Sequence, residues 1–143
     1  MAEVCIDAGF GLKLVLNEPE QQRVRARWAV WNRTGVGIIA PLPWLFESHS
    51  TLRLRVYTGD LTDLQARNAW RLLLARRVQT LAPTGLFDQA WGLAIQLNRP
   101  RTYDMTYHAL AELRGCECWT ADKRLFNATQ GRFSWLHFID ELP

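Results

Sequence analysis

Apolar residues along this chain fall into two kinds of run. Short unbroken ones, Val4-Cys5-Ile6 and Gly37-Ile38-Ile39-Ala40, stop at Asp7 and at Pro41 with Pro43. Their brevity, and the glycines Gly9 and Gly11 after the first, predict buried strands that run into turns. Longer stretches repeat at helical spacing. A helix is expected from about Phe10 to the break at Asn17-Glu18-Pro19. From Glu20 to Trp31, Val24, Trp28 and Trp31 share one helical face, while Arg23, Arg25, Arg27 and Arg33 lie mostly off it. Trp44 to Tyr57 reads as a helix with Gly59-Asp60 as its exit turn. Thr62-Asp63-Leu64-Gln65 has the T-x-x-Q form of a capping box, in which two side chains satisfy the free N–H groups of a first turn. It predicts a helix running through Leu81, with Ala69, Leu72, Leu73 and Leu81 toward the core. Leu86 to Leu97 and Tyr103 to Leu113 form two further helices, ended by Asn98-Arg99-Pro100 and by Gly115. Glu117-Cys118-Trp119-Thr120 reads as a strand, Lys123 to Ala128 as a short helix and Trp135 to Ile139 as a last strand.

Short buried strands alternating with helices predict an α/β fold, a three-layer α/β/α sandwich around a mainly parallel sheet. No repeat, low-complexity tract or long linker divides the 143 residues, so a single domain over 1–143 is expected. A chain of this length buries enough surface to fold without a disulfide or structural metal. Cys5, Cys116 and Cys118 cannot all pair, and no second Cys/His pair follows at zinc-finger spacing. The thiols therefore read as reduced. No basic segment leads into an apolar signal core near the N-terminus, and no run has the length to span a bilayer, so a cytoplasmic protein is expected. A formal charge of +3 leans basic but is too mild to identify nucleic acid as a partner by itself.

The chemistry is sought at the carboxyl ends of the strands, where open α/β sheets collect it. Asp7 ends the first strand and Asp122 follows the strand 117–120; Asp104 begins a helix, and Glu47 lies early in the helix after the second strand. Carboxylates gathered in one pocket repel each other and hold their charges together only around a cation. An all-oxygen set of this kind suits Mg²⁺ or Mn²⁺ rather than zinc. Each acid also has a plainer reading: Asp104 and Asp122 as helix caps, Glu47 as a solvated surface charge.

The residues around these acids resemble the motifs of PIN-domain proteins, in particular the VapC-like toxin branch. Val4-Cys5-Ile6-Asp7-Ala8 is similar to that family's first strand and first acid, with Lys13 and Glu18-Pro19 downstream as in many members. Pro43-Trp44-Leu45-Phe46-Glu47 resembles the segment with the second acid. Tyr103 through Glu112 resembles the D-x-x-Y-x-A-L-A motif, with Asp104 the third acid, and Trp119 through Ala128 resembles the T-A-D-x-x-L motif, with Asp122 the fourth. Gly9 departs from the pattern, which has Ser, Thr or Asn there to help order the metal site.

The resemblance implies a PIN-like fold and an enzyme, a Mg²⁺- or Mn²⁺-dependent endoribonuclease that hydrolyses single-stranded or structured RNA. Asp7, Glu47, Asp104 and Asp122 would be both its catalytic residues and its metal ligands. Arg53, Arg55, Lys123 and Arg124 are the expected phosphate contacts, alternatives to simple solvated charges. A cognate antitoxin and a homodimer are the implied partners, and Trp28, Trp31 and Trp70 are candidates for partner surfaces or for core. Gly9 keeps open the alternative of a PIN-fold RNA-binding or regulatory protein with weak or lost nuclease activity. No covalent nucleophile is evident, and His49, His108 and His137 are not assigned to metal. A haloacid-dehalogenase-like phosphatase expects a second Asp where Gly9 stands, and a receiver domain expects adjacent acids after the first strand; neither pattern is present.

Overall fold

The computed structural model describes residues 2–129 and 131–143. Its elements run β1 Glu3–Ile6, α1 Ala8–Val15, α2 Gln21–Arg33, β2 Gly37–Pro41, α3 Pro43–Tyr57, α4 Asp63–Leu74, β3 Gln79–Leu81, α5 Leu86–Gln96, α6 Met105–Arg114, β4 Glu117–Thr120, α7 Lys123–Thr129 and β5 Leu136–Phe138, closed by a 3₁₀ turn at Ile139–Glu141. The five strands form one sheet in the order β3-β2-β1-β4-β5, with every pair parallel. One helical layer has α1 packed against α2, α3 and α4; in the other, α6 packs on α5 and over β1, β2 and β4. Right-handed crossovers require this division: the chain steps outward from β1 to β3 through α1–α4, then returns across the sheet to β4 through α5 and α6. The fold is the expected three-layer α/β/α sandwich with a parallel sheet.

The central strands are apolar because both their faces are covered: Val4, Cys5, Ile6, Ile39, Ala40, Cys118 and Trp119 are all buried. Trp28 and Trp31 belong to this core, at 2% and 5% exposure, so neither supplies a partner surface. Trp44 fills the space beneath α1 and its indole N–H donates to the Asp7 carbonyl at 3.2 Å. Gly11 is what allows that approach, since a Cβ there would stand 3.1 Å from the indole ring. No helix among the described residues is long and apolar enough to cross a membrane.

Most boundaries lie within two residues of the sequence reading, and two differences have a plain local cause. Helix α1 starts at Ala8 rather than near Phe10, because Asp7 caps it by accepting from the Phe10 N–H at 2.8 Å. The helix expected to run through Leu81 ends at Leu74, and Leu81 closes the edge strand β3 instead. The chain turns out of α4 at Arg77, whose φ of 56° lies in the left-handed region. Gln79-Thr80-Leu81 then pairs with Ile39-Ala40-Pro41. The capping box at Thr62 and Gln65 forms as expected, with both reciprocal bonds present.

Candidate active site

Sheet order decides where a crevice opens. The chain steps from β1 to β2 and β3 on one side and then crosses back to β4 on the other, so the crossovers diverge above the β1–β4 boundary. The carboxyl ends of these strands are bonded there, Asp7 N–H to the Trp119 carbonyl at 3.1 Å. A cleft of about 220 Å³ lies over this point, lined by Asp7, Glu47, Asp104 and Asp122 together with Thr51 and Tyr107. The four acids singled out in the sequence therefore reach one cleft from four places: the end of β1, the second turn of α3, the start of α6 and the loop after β4.

Asp7 is the most deeply held. Its carboxylate accepts from the N–H groups of Phe10 at 2.8 Å and Ala121 at 3.4 Å, and from the Thr120 hydroxyl. Burial outweighs these donors, and with Glu47 adding negative charge the carboxyl is pushed up to about 6. Thr120 is itself fixed, its oxygen accepting from the Asp122 N–H at 2.9 Å. Asp122 caps α7 by accepting from the Leu125 N–H at 3.1 Å. Glu47, half-buried, accepts from the Tyr107 hydroxyl at 2.6 Å. Burial raises its pKa, the Tyr107 bond works against the rise, and Asp104 and Asp122 add to it.

Asp104 stands at the N-cap position of α6 without capping it, since its side chain accepts no backbone bond there. Its closest cation is Arg99, at 3.9 Å. Burial raises its carboxyl too, with Asp122 contributing, against the lowering pull of Arg99 and Arg101.

Three acids held above their ordinary range by burial and by each other are what a bound cation would relieve. The donor set is oxygen only, which fits a hard divalent ion such as Mg²⁺ or Mn²⁺. Among the described residues no three His, Cys, Asp or Glu side chains stand close enough to clasp an ion as placed. Ligation therefore calls for side-chain rotation in the cleft.

The expected phosphate contacts divide. Lys123 and Arg124 open α7 directly after Asp122 and are exposed, without lining the cleft themselves. Arg55 is engaged with Glu18 at 3.2 Å, and Arg53 lies over the Tyr57 ring, lining a separate groove with His49 and Trp70. Neither Arg53 nor Arg55 lines the acid cleft. Sequence reasoning missed Thr51, Arg99, Tyr107 and Thr120; the last two sat inside the quoted motifs, where a polar side chain on a buried element is a signal that it has a partner.

Gly9 also finds its explanation. A Cβ at this position would meet the Ala121 Cβ at 3.2 Å, so the β4 loop occupies the space a side chain would need. Residue 9 brings no side chain to the cleft, and the side-chain hydroxyl that does bond Asp7 is that of Thr120. None of the three histidines lines the cleft: His108 is buried, His49 packs edge-on against Trp70, and His137 stacks on Trp119 between Glu117 and Glu141.

No family model matches the chain. It is 27% identical over 134 residues to VapC ribonuclease Mb0985 of Mycobacterium bovis, a match covering 90% of this chain and 93% of that protein. Ribonuclease VapC9 of Mycobacterium tuberculosis matches with the same identity and coverage. Among solved structures, PAE2754 from Pyrobaculum aerophilum superposes with a TM-score of 0.68 at 18% identity, covering 98% of this chain and 92% of that one. The Mycobacterium tuberculosis toxin VapC20, described as cleaving the sarcin-ricin loop, superposes with a TM-score of 0.64 at 17% identity, covering 89% and 95%. The chain shares their PIN-like fold over nearly its whole length.

Proposed function

We propose that this protein is a metal-dependent endoribonuclease of the VapC type, hydrolysing phosphodiester bonds in single-stranded or structured RNA. The observation that carries the reading is the convergence of Asp7, Glu47, Asp104 and Asp122 on one cleft at the β1–β4 boundary. The ribonuclease names of the relatives, aligned over nine-tenths of the chain, support the reaction class.

Asp7, Asp104 and Asp122 would hold Mg²⁺ or Mn²⁺, with Glu47 completing the set directly or through water. When bound, such an ion lowers the pKa of a water molecule and offsets charge on the attacked phosphate. The protein's own part is placement. Phe10, Ala121 and Thr120 fix the Asp7 carboxylate, and the Leu125 N–H fixes Asp122. Lys123 and Arg124 draw an RNA phosphate toward the acids, and as the cations nearest Asp122 in the chain they offset repulsion between substrate and cleft.

The same likeness supports a toxin in a VapBC-type pair, a cognate antitoxin as partner and a cytoplasmic setting. A homodimer draws further support from exposed apolar rows, Phe46, Leu54 and Tyr57 on α3 and Phe87, Trp91 and Ile95 on α5.

The test is cleavage of single-stranded and structured RNA by purified protein with Mg²⁺ or Mn²⁺, then with EDTA, beside Asp104→Asn. Cutting that needs the metal and disappears in the variant is expected. Folded protein that cuts no RNA with either metal, or cutting unchanged in Asp104→Asn, overturns the proposal.

A further inference from the structure

Of the acids in the cleft, Glu47 and Asp104 are the two that no main-chain N–H holds. Asp7 and Asp122 accept main-chain N–H bonds, and Asp104 has a guanidinium nearby. Glu47 is longer, with one more rotatable bond than an aspartate. Among the described residues its one hydrogen-bonding partner is the Tyr107 hydroxyl, at 2.6 Å. Tyr107 is only 3% exposed, and it comes from α6, on the opposite helical layer from α3. Its backbone carbonyl in turn accepts from the Cys5 thiol at 3.6 Å, on the strand that ends in Asp7. The phenol is thus carried on a helix tied to the strand that leads into the deepest acid, and it reaches across to an acid that has no main-chain donor.

We propose that Tyr107 is a positioning residue of the cleft: its hydroxyl holds Glu47 Oε2 in place and leaves Oε1 to serve the metal or a metal-bound water. This rests on the nuclease reading above and goes further by assigning how its second acid is set. The choice of donor follows from charge. A Lys or Arg at this position would orient Glu47 equally well, but its positive charge would repel the cation that the cleft is built to take. A buried phenol supplies one directed donor and no charge. The ring also cannot follow Glu47 if the carboxylate swings away, because it is packed in the interior.

The test is a double-mutant cycle on metal-free protein, with Mn²⁺ affinity by calorimetry as the main readout and kcat and KM on a fluorogenic RNA beside it. Tyr107→Phe keeps the ring and removes the donor, and a urea midpoint checks that it folds. Its Mn²⁺ affinity should fall about tenfold or more, the usual effect of removing a group that orients a metal ligand. The kcat should fall with it while KM for RNA stays near wild type. In a Glu47→Ala background the same change should cost nothing further, and 3-fluorotyrosine at position 107, which retains the hydroxyl, should bind Mn²⁺ like the parent.

Wild-type Mn²⁺ affinity in Tyr107→Phe overturns the inference, as does an equal loss with and without Glu47, which would mark a general structural effect. Those results leave the nuclease reading standing as long as wild type cuts RNA and Asp104→Asn does not. A wild type that neither binds Mn²⁺ nor cuts removes both.

Discussion

Replacing Asp7 with asparagine separates the two demands placed on this position, since the amide has the carboxylate's shape without its charge. The side-chain oxygen can still accept from the Phe10 and Ala121 N–H groups, now 2.8 and 3.4 Å from Oδ1. The amide NH₂ would face the Thr120 hydroxyl, which must then turn its own proton elsewhere, a mismatch worth about 1 kcal/mol. Against that stands the charge. Burial takes the Asp7 carboxyl from 3.8 to about 6. At about 1.4 kcal/mol per tenfold change in proton affinity, ionised Asp7 costs the metal-free fold about 3 kcal/mol at neutral pH.

The sign is fixed by the direction of the shift. A folded pKa above the unfolded one adds stability that is complete below pH 3.8 and lost as pH rises through about 6. In EDTA at pH 7.5, Asp7→Asn should therefore be more stable than wild type by about 2 kcal/mol, or roughly 6 °C in Tm for a domain of this size. The advantage should shrink as pH falls and be gone near pH 4. Saturating Mn²⁺ should raise the wild type and leave the variant unmoved, because binding to the native state alone stabilises by mass action. RNA cleavage should be lost. Thermal melts at four pH values, with and without metal, decide it. A variant that melts at or below wild type at pH 7.5 in EDTA, or a difference that does not change with pH, refutes the reasoning.

Two further predictions concern the neighbours of the cleft. His108 is 1% exposed, and burial takes its pKa from 6.5 down to about 4 against the raising pull of the Asp104 backbone. A depressed base contributes stability above pH 6.5 that is lost as pH falls toward 4, so His108→Leu should flatten this acid limb and stabilise at pH 5 by about 2 kcal/mol, read by urea midpoints; a midpoint at or below wild type at pH 5 would count against it. Gly9→Ser should destabilise by about 1 kcal/mol through its contact with Ala121, and Ala121→Gly in the same chain should recover most of the loss. Because Thr120 already holds Asp7, the new hydroxyl should not raise kcat; a tenfold gain would show that residue 9 limits the site.

How much of this was legible in the sequence depends on how local each feature is. The strands β1 and β2 announce themselves as unbroken apolar runs because both their faces are buried. Strand β3 does not: Gln79 and Thr80 sit at the sheet edge, where only one neighbour constrains them, and the turn after the preceding helix passes through Arg77 in a conformation usually left to glycine. The acids were visible as types at strand ends and helix starts. Their partners were not, since Thr120 meets Asp7 only through the β1–β4 register, and Tyr107 meets Glu47 across sixty positions of chain. The pairing of Arg55 with Glu18 was hidden for the same reason, because the two are distant in sequence.

The plainer reading of the acids, as caps and solvated charges, meets the geometry residue by residue. Asp7 and Asp122 do cap helices, and the same bonds that satisfy those first turns hold the carboxylates still. For these two, structural and chemical roles coincide and capping excludes nothing. Asp104 is different. It occupies the cap position of α6 and makes no cap bond, so the helix draws nothing from it, and it sits half-buried among other acids at an electrostatic cost. Glu47 likewise gains a partner only from another layer of the fold. A purely structural account must treat both as defects, each of which an amide would mend. An ion among the carboxylates turns the same repulsion into binding affinity. That is why Asp104→Asn is the more informative variant: if it stabilises the metal-free protein while abolishing cleavage, the acid is kept for the ion and not for the fold.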